Sequence, residues 1–226
     1  MAKKQIGGFV LGAAAVAAYA LAVRPWLLRW GMRDDEKQLA LPGDEFVQHP
    51  VYETTRAITI DAPASRVWQW LVQIGVGRGG FYTYDALENV AGLNIHSANE
   101  IRPEWQNLQV GDVIRISPVT PLKVEVLEPD RALVLHIAMS LLTAEVVNAN
   151  DPATREFIDW TWAFVLDEIA PMTTRLIVRV RGNYKPDVLK FVVPVVLEPI
   201  HFIMERGMLQ GIKSRAERSS AANQKK

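Results

Sequence analysis

No cysteine occurs among the 226 residues. That absence excludes a disulfide framework, a cysteine nucleophile and any thiolate metal site. It leaves the compartment open, because a large enough core needs no disulfides on either side of a membrane. Net charge is absent too: 25 basic residues balance 25 acidic ones. A general nucleic-acid binder carries a basic excess or a basic stripe; neither is present, so no nucleic-acid partner is expected. The four histidines, His49, His96, His136 and His201, are scattered, with no HxH or HExxH string, so no metal site is expected. The sequence also lacks a GxSxG elbow and a Walker lysine, which removes serine-hydrolase and P-loop chemistry. No motif calls for a cofactor, and there are no internal repeats.

What is present is a globular composition, 49% hydrophobic against 22% charged, with material for a substantial core. An uncharged run of 18 residues begins at Ile6 and ends at Val23, with Lys3 and Lys4 before it and Arg24 after it. As a helix it would span about 27 Å, close to the thickness of a bilayer's hydrocarbon core. Trp26 and Trp30, beside Arg24 and Arg29, suit a headgroup belt. The expectation is a single-pass membrane anchor, with the excess of Arg24, Arg29, Arg33 and Lys37 placing the domain on the cytoplasmic side. Two alternatives stand beside it. One is a signal peptide cleaved near Ala18-Tyr19-Ala20 or Ala20-Leu21-Ala22, giving an exported protein; the other is a buried core helix. The chain then divides into residues 1–32 (anchor and juxtamembrane segment), 33–50 (a polar linker), 51–218 (the domain) and 219–226 (a polar tail).

Alternating β-branched residues at 51–61 predict a strand. Ala62-Pro63 then opens a helix whose Val67, Trp70, Leu71 and Ile74 share one face, and Gly75 ends it. A second helix is expected over 84–91, capped by Thr83. After an irregular stretch, strands follow at 112–117, 122–128 and 132–138. Two longer strands at 156–167 and 173–184 alternate strictly. On the first, Ile158, Trp160, Trp162, Phe164 and Leu166 share a face. On the second, Arg175, Arg179 and Arg181 are expected on a solvated outer face. Residues 187–218 are helical in pattern, with Pro194 and Pro199 expected to bend the helix.

This order of strand, two helices, antiparallel meander and long final helix resembles the SRPBCC superfamily, also called START or Bet v 1-like. The resemblance covers roughly residues 51–218. Its carriers are TRAITIDAPASRVWQWLVQIG, the pair EFIDWTWAFVLDE and TTRLIVRVRG, and the final helix. The segment GRGGFYTYDALENVAGLNIHSA is similar to a subgroup of uncharacterised bacterial members. The resemblance implies an α+β helix-grip fold, a curved antiparallel sheet wrapped around the C-terminal helix with an apolar cavity between. The superfamily includes lipid-transfer domains, hormone binders, and polyketide cyclases and dehydrases, so the fold alone chooses no function.

Each candidate site residue also has an ordinary structural reading. Gly75-x-Gly77-x-x-Gly80 matches a dinucleotide fingerprint as a string, but it follows a helix rather than a strand. Tyr82, Tyr84, Asp85 and Glu88 cluster after this loop. Asp85 and Glu88 are three apart, so a helix presents both on one side, as an acid–base pair or as a solvated face. His96 lies in irregular sequence and suits a general base near neutral pH. Trp160 and Trp162 suit either a cavity wall or plain core. His136 either tips into the cavity or is a satisfied core histidine. The function expected is a membrane-tethered module binding a lipid-like or other apolar small molecule in the cavity. The alternatives are a cyclase/dehydrase-type enzyme using Asp85, Glu88 or His96 on an apolar substrate, and a protein-interaction module.

Overall fold

The computed structural model describes Ala14, residues 17–84 and residues 96–223. A short helix α1 (Arg24–Leu28) precedes β1 (Tyr52–Ile60) and α2 (Ala64–Leu71). The meander follows as β2 (Val113–Ser117), β3 (Thr120–Glu128), β4 (Ala132–Met139), β5 (Phe157–Ala170) and β6 (Thr173–Lys185). The chain closes with α3 (Leu189–Val192), a π-helical turn (Val193–Leu197) and α4 (Glu198–Asn223). Every neighbouring pair of strands is antiparallel, in the order β1-β6-β5-β4-β3-β2. The first strand thus docks on the last, and the open, curved sheet packs one face on α4. The architecture is α+β helix-grip.

Period-2 alternation sends Leu133, Leu135 and Ile137 of β4, Trp162 and Phe164 of β5, and Val178 and Val180 of β6 to that inner face. Met208, Leu209, Ile212 and Ala216 of α4 and Val67, Trp70 and Leu71 of α2 meet them there. Two glycines set how closely α4 approaches. A Cβ on Gly211 would lie 2.0 Å from the carbonyl oxygen of Tyr82, and one on Gly207 would lie 2.9 Å from the Tyr84 ring. The loop after the 75–80 glycines can therefore lie directly against the helix backbone. The second helix expected over 84–91 lies, from residue 85 onward, outside the described residues.

At Pro194 the backbone leaves α-helical hydrogen bonding for a π turn and returns to it at Glu198. A proline has no N–H to donate to the preceding turn, and the wider turn absorbs the defect.

The outer face departs from expectation. Arg175 and Arg179 are buried and Arg181 is half-buried, because residues 33–50 lie across the sheet as a strap. Glu36 takes Arg175 in two contacts of 2.6 and 2.9 Å. Asp44 takes Arg179 at 2.7 Å and lies 3.4 Å from Arg181. Leu41 completes a small apolar cluster with Ala57 and Ile177. Burial pushes the Glu36 carboxyl up, but hydrogen bonds from Arg175 and the Arg33 N–H outweigh it and hold the group below its usual value. What reads as a linker is thus a second layer whose acids neutralise the arginine row.

The expected single-pass membrane placement is corrected as well. Among the described residues no helix is long and apolar enough to cross a membrane. Residues 6–13, 15 and 16 of the apolar run lie outside the described residues. Its described end turns inward: the Tyr19 hydroxyl donates to the Pro194 carbonyl, and Arg24 clamps Glu198 at 2.7 and 2.8 Å. Trp26 and Trp30 lie on Phe202 of α4 rather than forming a headgroup belt.

Candidate ligand pocket

Beside the first turns of α4 a cleft of about 320 Å³, open on one side to solvent, lies against β1, β5 and β6. Ile158, Trp160, Gly182, Val193 and Met204 line it, while Leu197 and Ile200, both about half exposed, stand toward solvent. Two local features keep it open. Gly182 contributes no side chain on the inward parity of β6, and the π turn widens the helical wall opposite.

Tyr52 and His201, at one end of the cavity, belong to a buried polar cluster. Glu205, four residues after His201, shares its helix face. Arg56, four residues after Tyr52, shares its strand face. Arg56 and Glu205 form an ion pair at 2.5 Å with both side chains fully buried. Glu205 also accepts the Trp162 indole N–H at 3.0 Å, and Arg56 donates to the Leu27 carbonyl at 2.7 Å. Burial opposes ionisation of Glu205, but the charge of Arg56 and the His201 imidazole beside it prevail and lower its pKa to about 2. The Tyr52 hydroxyl lies 2.9 Å from His201 Nδ1, with Arg56 Nη1 at 3.4 Å from the same nitrogen. Two donors converge on Nδ1, so Nδ1 is the acceptor and Nε2 carries the proton, 3.5 Å from Glu205 Oε1 but without a hydrogen-bond partner. Burial raises the Tyr52 pKa strongly, so its phenol stays protonated and donates to His201.

The residues singled out from sequence are dispersed. Trp160 lines the cavity, and Trp162 stacks against it with centroids 6.2 Å apart. Tyr82 is buried in the packed core, where its hydroxyl donates to the Trp70 carbonyl at 3.1 Å. Tyr84 is partly exposed against Gly207. His136 does not face the cavity. It lies on the opposite face of the sheet, 2.8 Å from Asp159 and stacked under Phe46 of the strap. The parity of β4 decides this, since Leu135 and Ile137 on either side point inward. His96 is exposed at a separate polar cleft with Arg78 and Arg102. Asp85 and Glu88 lie outside the described residues. Tyr52, Arg56, His201 and Glu205 were missed; only their i, i+4 spacings signalled shared faces. Among the described residues no group of three or more metal-ligating side chains assembles.

The element order and the grip of the sheet on α4 decide the fold. It is SRPBCC-like. No family model matches this sequence, and no curated protein matches it. Solved structures of similar form are distant. A Mesorhizobium loti protein is 14% identical, covering 74% of this chain and 98% of its own, with a TM-score of 0.39. A Helicobacter pylori hypothetical protein is 10% identical over 79% of this chain and 95% of its own, at 0.45. A norcoclaurine synthase point mutant from Thalictrum, in complex with a transition-state analogue, is 11% identical over 75% and 96%, at 0.39.

Proposed function

We propose that this protein binds an apolar small molecule in the cavity between the sheet and the first turns of α4. The observation that carries the reading is a half-open cleft of about 320 Å³ with an apolar wall beside the packed core. Ligand pockets begin at about 300 Å³ and are lined mainly by apolar and aromatic side chains. The SRPBCC resemblance supports the same reading, since its members include proteins that hold apolar molecules in this place.

Gly182→Val tests it directly. A Cβ there meets only ordinary contacts, the nearest at 3.5 Å, so a side chain at this position occupies the cavity without straining the strand. Native mass spectrometry of the full chain purified from cells is expected to show an apolar small molecule bound to the wild type and absent from Gly182→Val. A wild-type protein that takes up no apolar probe, or a variant that binds as well as wild type, overturns the reading.

A further inference from the structure

A helix on the surface of a domain turns its apolar stripe to the core. The helical stretch that begins at α3 has a second stripe, turned outward. Val188, Phe191, Val195, Val196, Ile200 and Ile203 are all exposed, Phe191 at 78% and Val195 at 65%. They recur at the three- and four-residue spacings of one helix side. Val193, Phe202 and Glu205 of the same stretch are buried, so the outward stripe is surplus to the core. Charge stays off it: Lys190 pairs with Asp187 at 3.0 Å, and Glu198 is buried against Arg24. An exposed apolar face of this kind marks a contact surface.

Its surroundings extend it. Leu21 and Val23 are exposed on the segment that Tyr19 and Arg24 pin to the same turns. Leu142 and Val146, both exposed, project from the end of the sheet where β4 ends, β5 begins and β6 ends, which is where α3 begins.

The chemistry favours lipid over protein. Protein interfaces are anchored by Trp, Tyr and Arg, while Leu and Val are under-represented among their energetic centres. The stripe offers only Val, Ile and Phe. Ile200 of the stripe also rims the cleft, with Leu197 beside it. A bilayer that meets the stripe therefore meets the mouth of the cleft, and an apolar molecule dissolved there enters without crossing water.

We propose that the outward stripe from Val188 to Ile203 seats on a lipid bilayer, with its helices lying in the plane of the surface and not crossing it. Phe191 and Val195 do not line the cleft, so variants there separate bilayer contact from ligand uptake.

The test floats the full chain with phosphatidylcholine vesicles. The wild type is expected to float at low and high salt alike, because the stripe carries no cation. Phe191→Asp with Val195→Asp should lower vesicle partitioning by about tenfold or more, with nonane binding equal to that of the wild type. The chain has no cysteine, so Val195→Cys carries a single environment-sensitive dye. Its emission is expected to shift to the blue on adding vesicles. A dye on Glu168→Cys, exposed near the β5–β6 turn at the other end of the sheet, should not respond. A wild type that does not float, flotation released by salt or unchanged in the double variant, or a dye at Val195 that does not respond overturns the proposal. A wild type that dimerises off the vesicles, with the double variant monomeric, gives the stripe to a second copy and overturns it too. Should the aspartate variant fail to fold, the dye decides.

Discussion

Glu205 carries its charge in a place that water does not reach, and three neighbours make this tolerable. Arg56 supplies the opposite charge, and the Trp162 indole and the His201 Nε2 proton face the carboxylate. Replacing it by glutamine leaves Arg56 buried without a counter-charge. Glu205→Gln is expected to lose about 3–5 kcal/mol of stability in urea unfolding. The same residue sets an acid limit. Its folded pKa, about 2, lies below the ordinary 4.5, so the folded state holds this proton less tightly than the unfolded chain. The stabilisation is therefore complete above pH 4.5 and is lost as pH falls through about 2. Stability curves of wild type and Glu205→Gln should converge over that window. Parallel curves would show that Glu205 is not ionised against Arg56.

At the scale of elements, two contacts decide how the pieces fit. The first is α4 against the loop at Tyr82, where Gly211 leaves no room for a methyl group. Gly211→Ala forces backbone apart from backbone and is expected to cost about 1–3 kcal/mol, against the small gain that alanine brings to a helix. Thermal unfolding at matched pH checks this, and a stabilised variant would refute the packing argument. The second contact is the strap. Glu36→Ala leaves Arg175 buried and unpaired, so proteolytic cleavage within residues 33–50 should accelerate well before the rest of the sheet is lost. Unchanged cleavage would return the strap to the status of a linker. The strands and the helix after β1 were legible because each bears its own period of apolar residues, and the long final helix because of its unbroken length. The strap was not: a polar segment reads alike whether its acids face water or a row of arginines. Arg175, Arg179 and Arg181 likewise gave only their parity, and the parity was right while the solvation was not.

At the scale of the molecule, a ligand that binds only the folded form stabilises it by mass action. At a hundredfold excess over Kd the gain is about 2.7 kcal/mol, or roughly 5–10 °C in Tm for a chain of this size. An apolar probe such as nonane should raise the Tm of the wild type by this order and leave Gly182→Val unmoved; equal shifts would place the binding elsewhere. The sequence by itself determined the order of elements and the face each strand presents, because these follow from local periodicity; the helix-grip architecture was what the family resemblance implied. It also set Trp160 and Trp162 on one face, without saying that one indole N–H would be paired by Glu205 and the other buried without a partner. That distinction, the arginine row closed by Glu36 and Asp44, and the inward turn of Tyr19 and Arg24 toward α4 were decided only by tertiary structure. Each depends on which side chain arrives opposite from a distant part of the chain, and burial then sets whether a polar group is costly, neutral or available to a ligand.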